Sequence, residues 1–230
     1  MALLSEQDRA VVSAHLAAIQ APVTILFFTQ TIDAPDTVLV AKQVLDEVVS
    51  LSDKISLEEV NYVLDRERAA QFGIEGIPAV ALLRGGEDTR IRFLGAPAGY
   101  EFMSLVEALI LAGTGDSGLT AESKALIAAT VTEPTEILVF VTPSCPHCPR
   151  AVTLAHRMAV ESSMIRATCV EATEFLDLAQ RYRVTGVPKT VVNGTIEMLG
   201  ALPESVFVRT AVGATEPPAS SSSPGQSSPA

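Results

Sequence analysis

Cys145 and Cys148 stand two residues apart in TPSCPHCPRAV (Thr142–Val152), with Pro146 and His147 between them. Sulfurs at this spacing have three kinds of chemistry open to them: a metal clip, a structural staple, or reversible exchange between a disulfide and two thiols. Three cysteines in 230 residues are too few for a disulfide framework, and a core of this size needs no staple. Structural zinc takes four ligands, usually as two paired sets. Cys145, His147 and Cys148, joined by His156, would make one set and leave no second. No metal is therefore expected, and exchange chemistry leads.

The surroundings of the pair favour the same chemistry. A nearly continuous apolar run, Ile137–Val141, precedes it and a helical pattern, Cys148–Ser162, follows it. At the start of a helix, free amide N–H groups and the positive end of the dipole stabilise a thiolate more than a thiol, which lowers the pKa of the first cysteine, Cys145. Cys148, one turn on, is expected to be more buried and placed to attack a mixed disulfide formed at Cys145. Pro146 restricts the loop, and His147 can offer an N–H or a positive charge that stabilises the reduced form. As a plain surface histidine, His147 would only fill the loop. Pro149 fits where a helix begins, because the N–H it lacks would be unpaired there. Val187-Pro188 lies just before a strand, with Pro188 43 residues after Cys145. A cis bond at that point would present the preceding peptide groups to a substrate strand beside the cysteines.

The elements that must hold these residues occur twice. Ile25-Leu26-Phe27-Phe28-Thr29 has its counterpart in Ile137-Leu138-Val139-Phe140-Val141, 112 positions on, and Gly76-Ile77-Pro78 returns as Gly186-Val187-Pro188, 110 positions on. Leu94-Gly95-Ala96 reappears as Leu199-Gly200-Ala201. Matches in one order at nearly constant offset imply a duplicated unit. Each copy reads as helix, strand, helix, strand, helix, strand, strand, helix. In the first copy the helices are expected over Ser5–Ile19, Asp36–Leu51 and Tyr100–Leu111, and strands over Val23–Thr29, Ile55–Tyr62, Val80–Leu83 and Arg90–Leu94. In the second, helices are expected over Thr120–Val131, Cys148–Ser162 and Glu204–Val212, and strands over Ile137–Val141, Ile165–Glu171, Thr190–Val192 and Ile196–Leu199. Gly85-Gly86 and Asn193-Gly194 supply hairpin turns, and Gly113–Gly118 reads as the linker. The boundaries follow as units at 1–113 and 114–213, with a Ser/Pro-rich tail over 214–230 expected to be disordered on composition.

Charge narrows the partners. A formal net charge of −11 repels phosphate backbones and anionic lipid, so neither nucleic acid nor membrane is expected. Met1–Arg9 lacks a basic region followed by an apolar stretch, and no run approaches a membrane span, so a cytoplasmic setting is expected. No Gly-x-Gly-x-x-Gly follows a strand, so no nucleotide or flavin site is expected, and no bound cofactor.

Strand, Cys-x-x-Cys, helix, then Gly-Val-Pro before a hairpin resembles a thioredoxin fold, and the doubled layout resembles the glutaredoxin-like protein disulfide oxidoreductases. Phe140–Ser163, Tyr182–Gly194 and Phe93–Phe102 carry the likeness, which covers about residues 5 to 212. It implies an α/β protein of two tandem thioredoxin-like units, each a mixed central sheet flanked by helices. It further implies dithiol–disulfide exchange on protein thiols or disulfides, with Cys145 attacking, Cys148 resolving and Pro188 as a cis-proline. One departure stands out: the first unit reads Pro35-Asp36-Thr37-Val38 where the family usually carries a second Cys-x-x-Cys, and no cysteine precedes Cys145. An inert first unit beside an active second one resembles the N-terminal module of the flavoprotein reductase that serves alkyl-hydroperoxide peroxiredoxins. That likeness adds a thioredoxin-reductase-like flavoprotein and a peroxiredoxin as partners. The alternative of another class is a peptide-binding scaffold with vestigial cysteines. Among the remaining polar residues, Asp33, Asp36 and Thr37 read as helix caps, Cys169 as a buried inert thiol, His15 as a surface histidine, and Glu171 as a solvated strand-end carboxylate rather than a proton relay.

Overall fold

The computed structural model describes residues 4–214; the tail beyond lies outside the described residues. Its elements are α1 (Glu6–Leu16), β1 (Val23–Thr29), α2 (Thr37–Val49), β2 (Ile55–Asn61), α3 (Arg66–Gln71), β3 (Ala79–Arg84), β4 (Glu87–Leu94), α4 (Glu101–Thr114), α5 (Ala121–Thr130), β5 (Thr135–Val141), α6 (Cys148–Glu161), β6 (Ile165–Glu171), α7 (Leu176–Arg181), β7 (Lys189–Val192), β8 (Ile196–Leu199) and α8 (Glu204–Ala211). The order of the first eight elements is repeated by the last eight. Local chemistry accounts for several ends: Ser5 and Thr120 accept hydrogen bonds from the Asp8 and Ser123 amides, which satisfies helix N–H groups that have no intrahelical partner.

Each half forms the mixed sheet expected of it, and the two are joined edge to edge into one sheet in the order β2-β1-β3-β4-β6-β5-β7-β8. Within each half the first strand pairs parallel with the second and antiparallel with the third. The halves join where β4 runs parallel to β6, with Phe93 opposite Cys169. Each would otherwise be an edge strand with a row of unpaired backbone groups, and pairing removes both edges at once.

Alternation along the strands sorts side chains to two faces. Ile25, Phe27, Ile91, Phe93, Ile137 and Val139 join the apolar cluster under α1, α2, α4, α5, α6 and α8. Leu26, Phe28, Leu138, Phe140 and Val170 join a smaller one under α3 and α7. The larger cluster is continuous across both halves, because α4 packs on α6 above the β4–β6 seam. Both helices carry buried small residues at four-residue spacing, Ser104, Ala108 and Ala112 on one and Ala151, Ala155 and Ala159 on the other. Residues four apart share a helix face, so these stripes let backbone approach neighbouring elements closely.

One linker reading is corrected. The helix expected to end at Leu111 continues to Thr114, with Gly113 inside it against Ile19; a Cβ at Gly113 would collide with that side chain, so the glycine serves packing rather than flexibility. The turn falls at Gly115, whose φ of 69° ends the helix in the left-handed region.

Lengthening a stripe residue tests the close approach. Ala155→Leu should lower unfolding stability by about 1–3 kcal/mol, read as a lower urea midpoint at unchanged slope. Ala125→Leu on the exposed side of α5 should stay within roughly 0.5 kcal/mol of the parent.

Candidate functional site

β5 delivers the chain to Val141, a turn follows in which the Cys145 amide donates to the Thr142 carbonyl at 3.1 Å, and α6 begins at Cys148. Cys145 thus lies in the turn ahead of the helix. The two sulfurs are bonded to each other, with Cα atoms 5.5 Å apart. Cys145 is 8% exposed and Cys148 fully buried, while Pro146 and His147 are exposed on the loop between them. His147 occupies the N-cap of α6 without a side-chain capping bond, and Pro149 follows in the first turn. The first-turn amides therefore have no side-chain cap from His147, so their field falls on the sulfurs.

Val187 and Pro188 stand at the entry to β7, joined by a cis bond, and Ile77-Pro78 is its cis counterpart in the first half. Pro188 is buried, with its carbonyl accepting from Gly200 at 2.8 Å; Val187 is half-buried against the apolar cluster that contains both cysteines. The chain before them, Thr185 and Gly186, is exposed, and the space beside Gly186 is open. Lys189, the next residue, is buried and holds the Tyr182 carbonyl at 2.6 Å and Glu197 at 2.8 Å.

The first half reaches into this site. The Tyr100 amide donates to the Pro143 carbonyl at 3.0 Å. Gly99, at φ 62°, lies so close to the same carbonyl that any Cβ would clash with it. One residue after Tyr100, Glu101 opens α4 with 2% of its surface exposed. Its Oε2 accepts from the Cys169 thiol at 3.6 Å, and its Oε1 has no hydrogen-bond partner. Burial pushes the Glu101 carboxyl up to about 7, with Ser104 and Cys169 pulling the other way and Glu171 adding to the rise. Burial likewise drives the Cys169 thiol well above its ordinary value, and Glu101 adds to that shift, so Cys169 stays a thiol. Nothing local in the sequence marks Glu101: its neighbours on β6 are about 70 residues away in the chain, and only the seam brings them together.

Several sequence readings are corrected by their surroundings. Glu171 is not a solvated strand end: it is 3% exposed and accepts from Thr173 Oγ1 at 2.8 Å and from the Glu174 amide at 2.6 Å. Asp36 takes the N-cap position of α2 but makes no side-chain capping bond. His156 does not approach the cysteines as a ligand would; it is buried edge-on to Phe93, ring centroids 5.1 Å apart, and burial lowers its pKa to about 3. Among the described residues no group of three His, Cys, Asp or Glu could hold a metal ion. No described helix is long and apolar enough to cross a membrane. His15 is exposed and Cys169 buried, as their patterns imply.

A doubled strand–helix framework fused through one sheet, with a cysteine pair where the fifth strand hands over to its helix, defines a fold of two thioredoxin-like units. Residues 135–213 match the family described as Thioredoxin domain. The F component of alkyl hydroperoxide reductase from Pseudomonas aeruginosa is 31% identical over 152 residues, 66% of this chain and 27% of that protein. The Escherichia coli protein of the same name is 28% identical over 192 residues, 84% of this chain and 34% of that protein. The chain thus spans between a quarter and about a third of the curated relatives it matches. Among solved structures, the NTD_N/C domain of the alkylhydroperoxide reductase AhpF from Enterococcus faecalis superposes with a TM-score of 0.84 at 28% identity, covering 90% of this chain and 99% of that one. A protein disulfide oxidoreductase from Aeropyrum pernix gives 0.81 at 29% identity, with 90% and 92% covered.

The buried acid makes a pH signature. Glu101 ionises near 4.5 in an unfolded chain and at about 7 in the fold, so the stability it contributes is full below the lower value and lost as pH rises through the upper one. Glutamine has no such dependence. Measured by urea unfolding, Glu101→Gln should gain roughly 2 kcal/mol on the parent between pH 5 and pH 8; equal slopes for both proteins would contradict the placement.

Proposed function

We propose that this protein catalyses thiol–disulfide exchange on protein partners through Cys145 and Cys148. The observation that carries the reading is a pair of bonded cysteines at the start of α6 that differ in exposure: Cys145 keeps 8% of its residue surface exposed and Cys148 none. In the reduced protein, the Cys145 thiolate attacks one sulfur of a partner disulfide; a new sulfur–sulfur bond forms and a partner thiolate leaves. Cys148 then gives up its proton and attacks the Cys145 sulfur, releasing the second partner thiolate and closing the Cys145–Cys148 disulfide. Two electrons pass to the partner. The reverse sequence accepts them from a reductant.

Proton transfer is the step that burial makes difficult. Cys148 has no exposed surface, so its proton must move through protein groups. Pro146 and His147 set the loop and its donors around the Cys145 sulfur, and Val187 with Pro188 forms the wall against which a partner strand lies. No bound cofactor is needed, since the disulfide itself carries the electrons. The cytoplasm is the setting we assign, because a reducing compartment keeps such a pair turning over.

A second, narrower reading is favoured by the likeness to alkyl hydroperoxide reductase: electrons received from a flavoprotein reductase are delivered to a peroxiredoxin. The two readings share every step at sulfur and differ only in the partner.

Insulin reduction with dithiothreitol separates catalysis from a scaffold role. Cys145→Ser should fall to the uncatalysed rate, and equal activity of variant and parent would overturn the proposal. Given a partner disulfide and no free dithiol, Cys148→Ser should accumulate a mixed disulfide through Cys145 as one partner thiolate leaves, visible as added mass that a reductant removes. For the narrower reading, the reduced chain should sustain peroxide turnover by a two-cysteine peroxiredoxin, and Cys145→Ser should not.

A further inference from the structure

The first half keeps the framework of the redox loop without its sulfur. β1 ends at Thr29, α2 begins at Thr37, and residues 30–36 occupy the place that the cysteine loop takes between β5 and α6. Beside this loop lies an open groove of about 440 Å³, bounded by β1, α2 and Glu59 of β2. Its floor is apolar, with Phe27 1% and Val38 7% exposed. Leu39 on its rim is apolar and 67% exposed, where water would favour a polar group. An exposed apolar side chain above an apolar floor marks a contact surface.

The charge on the rim is negative and unanswered. Lys42, the cation of the groove, is already paired with Asp46 and Glu59. Asp36 sits at a helix N-cap yet caps nothing. Asp33, held at φ 54°, makes no side-chain hydrogen bond or ion pair among the described residues. β2, which contributes Glu59 to the groove, is the last strand of the sheet.

We propose that this groove docks an extended segment of a partner protein, one that places an apolar side chain on the Phe27–Val38 floor and a lysine or arginine against Asp33 and Asp36. Charge complementarity sets the sign, since an acidic segment would face two free carboxylates. The last strand of a sheet favours an extended backbone, which can add its own amides to the sheet. The site is independent of the sulfur chemistry and would hold a partner whichever way electrons move.

The test is fluorescence anisotropy on the full chain with a fluorescein-labelled nine-residue peptide of alternating leucine and lysine, and a second peptide with glutamate in place of lysine. Neither contains cysteine, so redox exchange cannot contribute. The lysine peptide should bind the parent and the glutamate peptide should not. Leu39→Ser, and separately Asp33→Asn with Asp36→Asn, should each weaken binding at least about fivefold. Glu6→Gln with Asp53→Asn removes the same charge from exposed positions elsewhere and should leave affinity unchanged. Insulin reduction should be equal in all of these proteins, which separates failure of the docking proposal from failure of the redox one. Equal binding of the two peptides, unchanged affinity in the groove variants, or equal weakening by the remote pair would overturn it.

Discussion

The parallel pairing of β4 with β6 is the interaction on which the rest of this molecule depends. It satisfies two strand edges, makes one sheet of eight strands, and forces α4 to lie on α6. From that placement follow the hydrogen bond from Tyr100 to Pro143 and the burial of Glu101 against Cys169. The redox loop is therefore built by one half of the chain and buttressed by the other. A carboxyl held near neutrality inside a protein needs low dielectric on all sides, and neither half alone has the surface to provide it.

The two halves carry different residues on the same order of elements. Both keep a strand that runs into a loop and a helix, both keep a Gly-x-Pro turn with a cis bond, and both anchor the proline carbonyl through a later glycine amide, Gly95 in one and Gly200 in the other. Where the second copy places sulfur at the helix start, the first places carboxylates that bond to nothing in their own helix. The amide-rich start of a helix thus faces a bonded sulfur pair in one copy and an uncapping carboxylate in the other.

The parts of this architecture that were legible in the sequence are those set by neighbours in the chain. Val23–Thr29, Ile165–Glu171 and Ile196–Leu199 read as strands with the bounds the structure has, because branched apolar runs between turn residues leave few alternatives. The cysteine pair was equally legible, since spacing and position are local facts. What escaped were consequences of the seam. A single sheet could not be inferred, because the edge residues of β4 and β6 read as ordinary strand residues until they meet. Glu171 reads as a solvated end, yet Gly95 and Thr173 close over it. Glu101 is not marked by its own stretch of sequence, and only the packing of the other half buries it.

Gly99 carries a consequence for how such a chain can change. Its backbone rests against the Pro143 carbonyl with no room for a side chain, so a residue of the sulfur-free copy is shaped to the loop of the other. Cutting between the copies would strip β6 of its neighbour and leave Phe93 and His156 facing water. The two halves are in this way fitted to each other twice, once along the shared sheet and once at the loop, so a change at either fit must be answered across it.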